Sequence, residues 1–141
     1  MELKEGAVIA DRFRLVRQLG EGGMGEVWLG HHTALDIPCA VKFIHAEVAA
    51  HEEVRSRFER EAKAAASLRS SNVVQILDYG VHEQTPYIAM ELLEGEELSD
   101  RLSRQRVLAP IETFRIVAQV GKALTKAHAA GIVHRDLKPE N

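Results

Sequence analysis

The sequence predicts an α+β chain, with a strand-rich segment first and a helical one after it. Three observations carry this prediction. Apolar and polar residues alternate along the first third of the chain, the signature of half-buried strands. A stretch after residue 50 instead repeats its apolar residues at helical spacing. The composition then changes at Glu94-Gly95-Glu96-Glu97, a polar joint followed by two further helical patterns. The predicted division is therefore a strand-rich domain over residues 1–93 and a helical one over 94–141.

The elements follow in order. Phe13, Leu15 and Leu19 alternate with Arg12, Arg14 and Gln18, and after a glycine cluster Val27 and Leu29 alternate with Glu26, Trp28 and Gly30. Cys39-Ala40-Val41-Lys42-Phe43-Ile44 reads as a third strand, apolar on both faces apart from one lysine. A helix is predicted from about Glu52 to Arg69, with Phe58, Ala62, Ala65 and Leu68 forming its apolar stripe. Val73–Leu77 and Tyr87–Met90 read as two more strands, joined by a turn over His82–Pro86. A short helix is expected over Leu98–Gln105. A longer one starts at Pro110, a residue suited to a first helical turn, and ends near Ala130-Gly131. Phe114, Val117, Gly121, Leu124 and His128 share one face of it.

Bulk properties narrow the function. The 141 residues are 45% hydrophobic and 28% charged with a formal charge of −3, which fits a folded, soluble domain. No clustered Lys and Arg offer a footprint for nucleic acid, so none is expected as a partner. No apolar run approaches the ~18 residues that span a bilayer, and Met1–Glu5 lacks the apolar core of a signal peptide. No membrane anchor is visible. The single cysteine, Cys39, fits a reducing, cytoplasmic setting. His31-His32 is the one adjacent histidine pair and lacks a third nearby ligand, so zinc is not expected.

Gly20-Glu21-Gly22-Gly23-Met24-Gly25 matches G-x-G-x-x-G. A dinucleotide-binding loop would open a helix at the last glycine, but Val27-Trp28-Leu29 continues as a strand. A Walker-type loop needs Gly-Lys-Ser or Gly-Lys-Thr, and Glu26 follows Gly25. Two readings stay open at this point. One is a hairpin whose tip folds over phosphates, where glycine lets backbone N–H groups approach the oxygens without a Cβ in the way. The other is a plain glycine-rich hairpin.

Lys42 lies between Ala40 and Ile44 on one face of the third strand. If the strand is central, its ammonium costs several kcal/mol to bury unless an anion meets it. Glu61 is the predicted anion. It sits three residues after Phe58 and four before Ala65, on the apolar stripe, while Glu59 points about 160° away. The expectation is a Lys42–Glu61 ion pair that holds the lysine toward nucleotide phosphates.

The chain closes on His134-Arg135-Asp136-Leu137-Lys138-Pro139-Glu140-Asn141. Five fixed positions in His-Arg-Asp-x-Lys-x-x-Asn arise by chance in fewer than about one chain in ten thousand, which decides between the open readings. With the glycine loop, Cys-Ala-Val-Lys and Glu61 in order, the chain resembles a eukaryotic-type (Hanks-type) protein Ser/Thr kinase of the bacterial branch. The resemblance runs from Gly6 onward. It implies a protein-kinase-like fold, with a five-stranded antiparallel N-lobe, its helix C, and the first helices of the C-lobe.

The resemblance also implies roles. ATP and Mg2+ would be the cofactors, and a protein bearing a Ser or Thr hydroxyl the substrate. Asp136 would orient the substrate hydroxyl and accept its proton, Lys138 would neutralise the γ-phosphate, and Asn141 would hold a magnesium ion. Gly20, Glu21, Gly22, Gly23, Met24 and Gly25 would cover the phosphates. Leu19, Val27 and Ala40 would cover adenine, with Met90 in the gatekeeper position. The backbone of Glu91 and Leu93 would bond the adenine edge, and Glu97 the ribose. Arg135 resembles the arginine that pairs with a phosphorylated activation loop. The family continues after this loop with Asp-Phe-Gly, an activation loop and Ala-Pro-Glu. The chain is therefore expected to be a piece of an active kinase whose coding sequence runs on in frame. The alternative is a nucleotide-binding or interaction module without catalysis.

Overall fold

The computed structural model describes residues 3–23 and 25–140; Met24 and Asn141, both predicted site residues, lie outside the described residues. The chain divides into two compact units, Met1–Ser67 with Val74–Leu93, and Leu68–Val73 with Glu94–Asn141.

The first unit is built on a six-stranded antiparallel sheet. Its strands are β1 (Val8–Ile9), β2 (Phe13–Gly22), β3 (Gly25–His32), β4 (Ile37–Ile44), β5 (Ile76–His82) and β6 (Thr85–Glu91), ordered β1-β2-β3-β4-β6-β5. Two helices cross between β4 and β5: a single turn, α1 (Ala46–Ala49), and α2 (Glu52–Ser67). Five of the strands fall where strands are predicted, two of them with differences described below. The sixth, β1, is only two residues long, and its turn runs through Ala10 and Asp11 at φ 49° and 57° with no glycine to signal it. The second unit holds α3 (Leu98–Gln105) and α4 (Pro110–Ala129).

Antiparallel pairing puts directly opposed side chains on the same face, so register sorts the sheet into two surfaces. Leu15↔Gly30, Trp28↔Val41 and Val41↔Ala89 align one face. It buries Phe13, Leu15, Trp28, Cys39, Val41, Phe43, Tyr87 and Ala89, closed over by Ile9. The Phe13 ring meets the edges of His32 and Tyr87 at 5.0 and 5.9 Å. Arg12 Nη1 reaches Asp78 Oδ2 at 3.0 Å, and Tyr87 donates its hydroxyl to the same oxygen at 3.2 Å, linking the turn before β2 and strand β6 to β5. On the opposite face Ile44 and Ile88 pack with Ala49, Phe58 and Ala62, which docks α2; the Phe58 and Tyr79 rings lie 6.2 Å apart.

Two predicted strands needed correction. Along β2 the register slips between Leu15 and Arg17 and again between Gln18 and Gly20. These irregularities break the simple alternation, so Leu19 is 41% exposed rather than facing inward with Phe13 and Leu15. The strand predicted over Val73–Leu77 starts at Ile76 and runs on to His82. The run-on passes through Gly80. A Cβ there would come within 2.8 Å of the Tyr87 hydroxyl, so glycine makes room for the ring. The β5–β6 loop is two residues, Glu83 and Gln84, both at positive φ, as a tight primed hairpin turn requires.

Candidate functional site

The glycine motif forms the β2–β3 hairpin, through Gly20↔Val27, Glu21↔Glu26 and Gly22↔Gly25. Its glycines differ in kind. A Cβ at Gly20, Gly22 or Gly23 would meet nothing within 4 Å, whereas one at Gly25 would fall 1.9 Å from the Phe43 carbonyl oxygen. Gly25 is thus demanded by the close approach of β3 to β4 (Gly25↔Ile44), and the other three leave an open backbone surface. Glu21 and Glu26 stand opposite each other, an unfavourable pair of like charges. Gln18 Nε2 bridges them at 3.2 Å to each, and Trp28 Nε1 donates to Glu26 at 2.7 Å.

Register brings the predicted nucleotide residues of β3, β4 and β6 to one face. Val27↔Lys42↔Ile88 and Leu29↔Ala40↔Met90 are successive rows across three strands. Ala40 is buried, Val27 and Met90 half-buried, and Lys42 exposed between them. The surface is therefore apolar with one ammonium on it, adjoining the open side of a glycine hairpin. That donor set fits a flat apolar base and a phosphate chain: apolar rows for the ring, a cation and unobstructed backbone for the anion. Glu91 gives its N–H to the Gln75 carbonyl at 2.9 Å and accepts from the Gln75 N–H at 2.7 Å. Any contact from Glu91 to a nucleobase would thus use its carbonyl. Leu93 is 67% exposed.

The expected Lys42–Glu61 ion pair does not form. Glu61 is 59% exposed and accepts a hydrogen bond from Arg57 Nε at 2.9 Å, and among the described residues no ion pair joins it to Lys42. Two facts explain the difference. Glu61 sits about 60° round the helix from Phe58, at the margin of the buried stripe rather than its centre, so it can turn outward. Arg57, one turn earlier, then meets it without desolvation. Lys42, being exposed, does not demand a partner.

In the second unit the predicted catalytic loop is an exposed turn. Lys138 Nζ lies 3.3 Å from Asp136 Oδ2, and Asp136 donates its N–H to His134 Nδ1 at 3.3 Å. Arg135 takes φ 64°, a left-handed conformation uncommon outside glycine, which reverses the chain between His134 and Asp136. Pro139 anchors the far side by accepting the Ser99 N–H at 3.0 Å. Glu97 is the N-cap of α3, with its carboxylate taken by the Ser99 hydroxyl at 3.1 Å. Among the described residues no cluster of three or more His, Cys, Asp or Glu could hold a metal ion, and the predicted ligand Asn141 is outside them.

Sequence reasoning missed the Gln18–Glu26–Trp28 network and the contact of His45 Nε2 with the Gly22 carbonyl at 3.1 Å. The first depends on the β2–β3 register and the second on how β2, β3 and β4 are stacked, which no local pattern announces. No helix among the described residues is long and apolar enough to cross a membrane.

A sequence model of the protein kinase domain matches residues 13–141. The chain is 42% identical over 137 residues to the serine/threonine-protein kinase pkn3 of Myxococcus xanthus, covering 96% of this chain and 25% of that protein. It is 40% identical over 140 residues to PknE of Mycobacterium bovis, covering 99% and 25%. Among solved structures it is similar to the Mycobacterium tuberculosis PknI kinase domain, with a TM-score of 0.87 and 34% identity, over 99% of this chain and 57% of that one. The chain therefore spans about a quarter of those two relatives and under three-fifths of the PknI domain.

Proposed function

Because this chain belongs to the protein kinase domain family, and its relatives are bacterial serine/threonine-protein kinases, we propose that it supplies the ATP clamp and catalytic loop for phosphoryl transfer to Ser and Thr hydroxyls of proteins. The observation that carries the reading is the Val27–Ala40–Lys42–Met90 surface beside the open glycine hairpin. We assign the two compact units to the kinase N-lobe and the start of the C-lobe. A cytoplasmic setting is consistent with Cys39 being a free, buried thiol.

In this reading adenine lies against Leu19, Val27 and Ala40, with Met90 limiting its depth. The carbonyl of Glu91 and the backbone of Leu93 bond its edge, and Glu97 meets the ribose. Residues 20–25 lie over the phosphates, and Lys42 neutralises the α- and β-phosphate oxygens. Magnesium, held with Asn141, supplies charge neutralisation at the phosphates when bound. Asp136 orients the acceptor hydroxyl and takes its proton. Lys138, whose Nζ lies 3.3 Å from Asp136 Oδ2, faces the transferred group. Transfer proceeds through a loose transition state, so placing these charges is most of the work.

A Lys42–Glu61 pair would require Glu61 to leave Arg57. An exposed pair one helical turn apart is worth only about 0.3–0.5 kcal/mol, so that release costs little. The test is equilibrium binding of ATP with magnesium to this chain. Saturable binding that competes with ADP supports the reading; no binding at millimolar ATP refutes it.

A further inference from the structure

The glycine hairpin is held from outside by a side chain that the roles above do not use. His45 is the first residue after β4, and its Nε2 lies 3.1 Å from the carbonyl oxygen of Gly22, two strands away on β2. The reach is possible because Gly25 lacks a Cβ, which lets the start of β3 close onto the end of β4. A carbonyl oxygen only accepts, so Nε2 carries the hydrogen.

We propose that His45 is a positioning residue for the phosphate-binding hairpin. Its hydrogen bond fixes the Gly22 carbonyl. The Gly22–Gly23 peptide is planar, and the described residues contain no cis peptide, so the Gly23 N–H must point the opposite way. One side chain anchored on β4, the strand of Lys42, thereby sets the direction of a hairpin donor. The three open glycines impose no such order themselves, since nothing lies within 4 Å of the Cβ sites at Gly20, Gly22 and Gly23. Gln18 stiffens the base of the hairpin through Glu21 and Glu26; His45 acts at the tip.

The proposal rests on the nucleotide reading, and its test separates the two. Amide hydrogen exchange and ATP binding are measured on the full chain for wild type, His45→Ala and His45→Gln, with β5–β6 amides as the fold control. His45→Ala is expected to speed exchange across residues 20–26 and weaken ATP binding about fivefold, the scale of one net hydrogen bond. His45→Gln, which keeps a donor at similar reach, should restore both. Unchanged exchange in His45→Ala overturns the latch whatever ATP does. Faster exchange with undiminished ATP affinity overturns the positioning role. If wild type binds no ATP, the nucleotide reading fails and the positioning role fails with it, while exchange still judges the hydrogen bond.

Discussion

The glycine motif mixes two physical demands, and substitution can separate them. Consider Gly25→Ala. Its new Cβ would sit 1.9 Å from the Phe43 oxygen, about 1.5 Å short of ordinary contact, and the obstacle is backbone that cannot rotate aside. β3 and β4 must part at Gly25↔Ile44 and Glu26↔Phe43, beside the buried Ile44 and Phe43. Overpacking of this kind costs about 1–3 kcal/mol, and a lost ladder hydrogen bond about 1 more. Destabilisation of about 2–4 kcal/mol is expected. Gly22→Ala adds a methyl group into open space at a residue without positive φ, so its stability should stay within about 0.5 kcal/mol of wild type. It should nonetheless weaken ATP binding, because the methyl group occupies surface that phosphate needs. Urea denaturation followed by the fluorescence of Trp28, the sole tryptophan and part of the core, measures the first quantity. An ATP titration measures the second. Gly25→Ala as stable as wild type would refute the close-approach argument, and Gly22→Ala as damaging to stability as Gly25→Ala would refute the division of roles.

Other expectations follow from the same geometry. Glu61→Ala should change stability by less than about 0.5 kcal/mol, since it removes only an exposed pair with Arg57; urea midpoints check this, and a loss above about 2 kcal/mol would contradict the outward placement. Phe58→Ala should cost about 3–5 kcal/mol and free α2 from the sheet, visible as faster amide exchange along residues 52–67. Alkaline titration should destabilise the fold. Burial raises the Cys39 thiol from 9.0 to about 11 and, with the Asp78 carboxylate beside it, the Tyr87 phenol from 10.0 to about 12. The unfolded chain then releases both protons first, so stability is full below about pH 9 and falls as pH rises toward 12. Tyr87→Phe should flatten the upper part of that fall in thermal melts at stepped pH.

The α+β class and most elements were legible because they rest on local periodicity. The stripe of Phe58 and Ala62 gave α2, Pro110 gave the start of α4, and alternation gave β3 and β4. What was illegible depended on partners distant in sequence. Leu19 turned outward because β2 slips register twice, and β5 ran through Gly80 because Tyr87 fills the space beside it. The placement of Val27, Ala40, Lys42 and Met90 on one face follows from strand parity, which the sequence carries once the strands are known. The Glu61 orientation does not. Helical position put it on the predicted apolar stripe, but only Phe58 and Ala62 of α2 are buried, which leaves Glu61 at the margin, where Arg57 meets it. The His45–Gly22 bond had no signal at all, being a contact across three strands.

The proposed function depends on one exposed ammonium, that of Lys42, meeting phosphate on an apolar sheet face. The direct measurement is a calorimetric titration of ATP with magnesium into this chain and into Lys42→Met. Binding by the first is expected, and at least about tenfold weaker binding by the second, the effect of removing about 1.4 kcal/mol of charge-assisted contact. Equal affinities for the two proteins would contradict it.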